Sequence, residues 1–323
     1  MGKRAPRRST LALATAGVLA STGTAYVGAR NLLTGQADQA RKIIPKAWDV
    51  PPRADGLYTR GGEPVQRWQR GTPVDLHLMI FGDSTATGYG CRHADEVPGV
   101  LIARGLAEET GKRIRLSTKA IVGATSKGLS GQVDAMFVAG PRPDAAVIMI
   151  GANDITALNG IGPSARRLGA AVKRLQTSGA VVVVGTCPDF GIITAIPQPL
   201  RFAARTRGLR LARAQAAAVR SAGGIAVPLA DLLTPEFLQA PELLFSEDQF
   251  HPSADGYALA ARQLLPALCT ALLGEWTGEP ASELPWVSSA AEARTLRARL
   301  RILTRLWRRR STGVPAPIVM AVG

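Results

Sequence analysis

Three histidines occur in the chain, and only one has an acid placed to serve it. In "DQFHP" Asp248 precedes His251 by three residues and Pro252 follows, so one turn of backbone brings a carboxylate to the imidazole. Such a carboxylate fixes the imidazole tautomer and stabilises the imidazolium, which makes His251 a general base. A serine hydroxyl is a poor nucleophile until a base takes its proton. "FGDSTATG" offers the hydroxyl: an apolar run stops at Gly82, and Ser84 follows among Thr85, Ala86 and Gly88, all small enough to leave room for a substrate. The expected reaction is attack by Ser84 on an acyl carbonyl, then release of the acyl group by water that His251 activates. His77, inside an apolar run, and His93, among charged residues, read as core and surface histidines. Asp83 reads as a residue that hydrogen-bonds the turn.

Acyl transfer also needs donors aimed at the oxygen that becomes negative. The N–H of Gly123, the N–H of Ser84 at a helix start and the side-chain amide of Asn153 are the candidates. Asp154 is expected to orient the Asn153 loop, and Asp189 has no clear assignment.

These residues stand at the ends of apolar, β-branched runs at 75–82, 113–123, 145–151, 180–186 and 224–230. Helical stretches fall between and after the runs, at 97–109, 130–138, 164–177, 202–221 and 253–273. Continuously apolar strands alternating with helices predict a parallel sheet buried on both faces, with the site beyond the carboxyl ends of the strands. The fold expected is a three-layer α/β/α sandwich around a five-stranded parallel sheet.

"GDSTATGYG" (82–90), "AIVGAT" (120–125), "GAND" (151–154) and "DQFH" (248–251) together resemble the four sequence blocks of the SGNH, or GDSL-type, hydrolases, in the family's order. The resemblance spans about Val74 to Leu273 and implies a flavodoxin-like fold. It also implies a serine esterase or lipase with Ser84, Asp248 and His251 as triad and Ser84, Gly123 and Asn153 as oxyanion donors, without metal or cofactor. Two departures stand out: Thr85 where leucine is common, and Lys119 in the neighbourhood of a common asparagine. Transfer to a sugar hydroxyl and removal of acetyl groups from carbohydrates are the alternative activities on this fold, and a non-catalytic binding module is a third reading that the intact set argues against. Ile192 to Ile196 with Pro197 to Leu200 could line an acyl pocket or simply cover the sheet.

The ends carry different signals. Residues 1–29 combine a basic start with an uncharged stretch and a small-residue site at Val27-Gly28-Ala29, which predicts export, either cleaved or retained as an anchor. Residues 30–73 read as linker and lead-in with a short helix around 37–48, residues 74–274 as the hydrolase domain, and 275–323 as an extension. Within 290–310, Leu296, Leu300, Leu303 and Trp307 share a helical face flanked by arginines, a pattern that suits an anionic membrane surface or docking on the domain. The net charge of +15 is concentrated in the two ends, about 12 of the 15, and no basic patch interleaved with aromatics occurs between them, which argues against nucleic acid. Cys91, Cys187 and Cys269 have no metal-binding spacing. Cys91 and Cys187 are the better pair for a disulfide, and three free thiols fit equally well.

Overall fold

A run with no polar face is satisfied only by burial on both sides, and such runs build the centre of this molecule. The computed structural model describes residues 27–40, 42, 50–61, 65–138 and 140–274. Six strands form one sheet: β1 (Gly56–Tyr58), β2 (Leu76–Gly82), β3 (Ile114–Thr118), β4 (Ala145–Met149), β5 (Val181–Gly185) and β6 (Ile225–Val227). Their order is β1-β3-β2-β4-β5-β6, and every pair is parallel except β1 with β3. The expected five-stranded parallel sheet is therefore a six-stranded mixed one. The added strand lies in the stretch read as lead-in and is too short for a periodic signal. Tertiary bonds hold it: Asp55 accepts the Thr118 N–H at 2.8 Å, and the Tyr58 hydroxyl donates to Ala54 O at 2.5 Å.

The helices are α1 (residues 27–40), α2 (Ser84–Thr87), α3 (Pro98–Thr110), α4 (Leu129–Val138), α5 (Ala152–Thr156), α6 (Ile161–Thr177), α7 (Leu200–Ser221), α8 (Leu229–Gln239), α9 (Pro241–Leu244) and α10 (Ala254–Leu273). All five helices expected in the domain are present to within three residues at each end. Pro98 opens α3 and Gly111, at φ 65°, closes it, the usual asymmetry of helix ends. α8 was hidden in the sequence, because residues 229–230 read as the end of a strand.

Successive side chains of a strand point to opposite faces, and the two cores follow that alternation. Leu78, Ile80, Val147 and Val183 meet α3, α8 and α10 on one face. Met79, Phe81, Ile148 and Val184 meet α4 and α6 on the other. This is the three-layer sandwich the pattern predicted, with all parallel strands leaving by the same edge.

The predicted leader up to residue 26 and the amphipathic segment at 290–310 lie outside the described residues. Residues 27–29, the expected cleavage site, belong to α1, and most of the helix expected at 37–48 also lies outside. Gln36 of α1 accepts the Leu200 N–H at 3.0 Å and donates to Gln198 O, which joins α1 to the start of α7.

Candidate active site

The turn after β2 presents Ser84. Gly82 sits at φ 138°, and a β-carbon there would fall 1.9 Å from Met149 O, so only glycine lets the chain turn this close to β4. Gln132 of α4 accepts the Gly82 N–H at 2.9 Å and donates to Gly82 O at 2.8 Å. Asp83 then caps α2, accepting Thr85 N–H at 3.0 Å and Gly151 N–H at 3.3 Å. One buried carboxylate thus ties the exits of β2 and β4 together, the structural role expected of it. Burial pushes Asp83 up to about 6, against the N–H bonds and the nearby His251, which pull it down.

Ser84 opens α2 and is 6% exposed. Its Oγ lies 2.9 Å from His251 Nε2, and His251 Nδ1 lies 2.6 Å from Asp248 Oδ2. Residues 167 positions apart therefore meet as the sequence predicted. The second oxygen of Asp248 accepts the N–H groups of Phe250 at 2.9 Å and His251 at 2.8 Å and the Ser246 hydroxyl at 2.8 Å. That local ring requires Gln249 at φ 53°, a left-handed conformation uncommon for a non-glycine residue. Burial works to raise the Asp248 carboxyl, but the bonds and charge of His251 outweigh it and hold the group down to about 2. Tyr89 and Phe250 flank the imidazole, with ring centroids at 4.5 and 5.0 Å, which limits its rotation. The buried Tyr257 hydroxyl steadies Tyr89 through its carbonyl at 2.7 Å.

The two other expected donors lie in the turns after β3 and β4. Gly123 is at φ 79°, open on the side where a β-carbon would lie. Asn153, on α5, donates one amide hydrogen to Ala124 O at 3.0 Å, which fixes the rotation of the amide and links it to the Gly123 turn. Asp154 does more than the sequence suggested. It is 1% exposed and accepts Ser126 N–H at 2.8 Å, Ser126 Oγ at 2.7 Å, Ser164 Oγ at 2.8 Å and Asn159 Nδ2 at 3.0 Å. One carboxylate therefore holds the Gly123 loop against the Asn153 turn. Gln215 plays a comparable part between β4 and β5, accepting Cys187 N–H and donating to Ile150 O, both at 2.8 Å. Gln132 and Gln215 lie on helices with no local signal, so sequence reasoning missed both.

The other candidates fall outside the chemistry. His77 is 4% exposed, contacts Ser117 Oγ at 2.9 Å, and is lowered to about 4 chiefly by burial. His93 caps the short turn 94–96. Asp189 accepts Arg205 Nε at 3.0 Å and Gly191 N–H at 2.7 Å, which fixes the turn at Phe190–Ile192. Cys91, Cys187 and Cys269 are all free, so the disulfide weighed for Cys91 and Cys187 is absent. Cys187 is buried in the core, and the Cys91 thiol lies 3.4 Å from Glu96 O, pushed up to about 12 by burial. Among the described residues no cluster of His, Cys, Asp and Glu fits a metal ion.

Beside His251 and Thr85 lies a mostly apolar cavity of about 70 Å³. Of the insertion at Ile192 to Leu200, Ile192 and Ile193 line it, whereas Thr194 to Leu200 do not. Its far wall is Leu229, Leu233 and Phe237 of α8. Spacing by four puts one stripe of a helix into the cavity, a signal present in the sequence and obscured by Pro235.

With this geometry in view, comparison with known proteins is informative. The model of the GDSL-like Lipase/Acylhydrolase family matches residues 80–259. A GDSL-like esterase of Mycobacterium tuberculosis (strain ATCC 25618 / H37Rv) is 70% identical over 305 residues, covering 94% of this chain and 97% of that protein. Among solved structures, a lipase/acylhydrolase from Enterococcus faecalis is 22% identical over 59% of this chain and 93% of its own, with a TM-score of 0.47. An acetylxylan esterase from Geobacillus stearothermophilus is 19% identical over 60% and 94%, with a TM-score of 0.45. A hydroxyl, imidazole and carboxylate in line, on a chain so similar to a curated esterase, place this protein in the GDSL-like lipase/acylhydrolase family as a carboxylic ester hydrolase.

Proposed function

We propose that the chain is an exported serine esterase that hydrolyses acyl esters through an acyl-serine intermediate. The observation that carries this reading is the Ser84–His251–Asp248 line, at 2.9 and 2.6 Å. His251 Nε2 takes the Ser84 proton as Oγ attacks the ester carbonyl, and Asp248 stabilises the imidazolium. The oxyanion receives the N–H of Ser84, the N–H of Gly123 and the second amide hydrogen of Asn153. The imidazolium returns its proton to the departing alcohol. A water then enters and loses a proton to His251 as it attacks the acyl carbon; the acyl–Oγ bond breaks, and the imidazolium returns that proton to Ser84 Oγ as the acid leaves.

The apolar cavity supports an aliphatic acyl group as the part of the substrate that is buried. A water requires roughly 10–15 Å³ by the same measure, so about 70 Å³ is room for roughly five waters, or a short chain. The basic start and uncharged stretch of residues 1–29 support export, and the leucine and arginine faces at 290–310 support contact with an anionic membrane. The test is hydrolysis of p-nitrophenyl esters of increasing chain length by wild type and Ser84→Ala. Loss of activity with Ser84→Ala and a decline beyond short chains are expected. An active Ser84→Ala enzyme refutes the mechanism.

A further inference from the structure

The middle of the chain, close to neutral in sum, is strongly polar in space. Between Ile161 and Ser221 there are ten arginines and lysines against one acid, Asp189, whereas in residues 50–160 and 222–274 acids outnumber bases by seventeen to thirteen. All ten bases lie on α6 and α7, which pack side by side, and neither helix carries an acid. Arg166, Arg167, Lys173, Arg174 and Arg210 are exposed. Among the described residues, Asp134 pairs with Arg174 at 2.6 Å, and the other four have no ion-pair partner. Like charges crowded on neighbouring helices repel, a cost that an anionic partner relieves.

At the carboxyl edge of the sheet this layer meets the loop that follows α5, the helix carrying Asn153. Arg207 of α7 donates to Asn159 O, in the loop that follows the Asn153 turn. Beside Asn159, Leu158 is 75% exposed and held at φ 54°. Phe202 at the start of α7 is 50% exposed, and Ile121, two residues before Gly123, is 59% exposed. A single exposed apolar residue is ordinary, but Leu158 just before α6 and Phe202 on α7 both border the basic layer, which suits an interface of charged headgroups over hydrocarbon.

We propose that the α6–α7 layer docks on an anionic phospholipid surface, with Phe202 and Leu158 entering the headgroup boundary and the mouth of the site turned toward the lipid. The proposal rests on the esterase reading and adds that the ester is presented by a membrane. Nucleic acid fits less well, because Phe202 is the one aromatic residue on the two helices and bases have little to stack on.

The test uses the full chain, so that both terminal segments remain, and the variant Arg166→Gln/Arg167→Gln/Lys173→Gln/Arg210→Gln. Flotation with phosphatidylglycerol-containing and pure phosphatidylcholine vesicles reads binding, and soluble p-nitrophenyl butyrate reads the catalytic site. A basic residue at such a surface is worth about fivefold in partitioning, so the variant should bind anionic vesicles at least about 100-fold more weakly. Its turnover of the soluble ester should be unchanged, and Leu158→Ser should weaken binding further. Equal binding by wild type and variant, equal binding to both vesicle types, or preference for double-stranded DNA over anionic vesicles overturns the proposal. Loss of soluble-ester turnover in wild type itself would instead refute the esterase reading.

Discussion

Removal of the Asp154 carboxylate should cripple catalysis from a position that touches no substrate. The residue collects four hydrogen bonds between 2.7 and 3.0 Å, two from Ser126 and one each from Ser164 and Asn159. In Asp154→Asn the amide NH₂ must face either the Ser126 N–H or the Asn159 NH₂, a donor against a donor in both rotations. One buried group is then unpaired, at a cost of about 1–3 kcal/mol, and the two loops separate to relieve it. In a domain of this size that lowers the melting temperature by roughly 2–12 °C. The same separation draws the Gly123 N–H away from the Asn153 amide. A displacement near 1 Å costs about 100-fold, and loss of a whole oxyanion donor about 100- to 1000-fold. We expect kcat to fall about 30- to 300-fold with KM within threefold, in steady-state assays at 20 °C where the variant remains folded. Asp134→Asn, which removes an exposed ion pair, is the control and should change neither. If folded Asp154→Asn enzyme kept wild-type kcat, or lost activity only through KM, the carboxylate would not position the donors.

Other outcomes follow from single contacts. Gly82→Ala drives a methyl into Met149 O and should leave little soluble, active enzyme by expression and activity assay. Asp248→Asn should cost about 10⁴ in kcat with the fold retained, because the tautomer of His251 is no longer fixed. Leu233→Phe fills the cavity and should depress hydrolysis of hexanoate at least tenfold relative to acetate, read as a ratio of kcat/KM. His77 is lowered to about 4 from an ordinary 6.5, so the unfolded chain binds the extra proton between these values. Stability against urea should therefore be fully present above pH 6.5 and fall as pH drops toward 4, and His77→Gln should flatten that slope.

The hydroxyl, imidazole and carboxylate of the proposed triad are legible because each is announced locally. Gly82 and Ser84 end a strand, and Asp248 lies one turn from His251. The parallel strands were legible because burial on both faces leaves only apolar side chains. What escaped has a tertiary cause. β1 exists because Asp55 and the edge of β3 capture three residues. Gln132 and Gln215 look like ordinary helix residues, and only the folded chain brings them to strand exits whose amides lack a ladder partner. Asp154 reads as a loop residue, since nothing in "GAND" reveals that Ser126 and Ser164 converge on it. The stripe of α8 went unread because Leu229 closes an apolar run that resembles a strand.

The division of labour around His251 bears on how such an enzyme diversifies. The groups proposed to react are anchored after β2 and in the loop before α10, whereas part of the cavity wall comes from the turn at Phe190–Ile192 and from α8. Substitutions in those walls alter which esters enter while the proton relay keeps its geometry. Natural variants or selected libraries therefore have a tract of sequence in which preference drifts at constant chemistry.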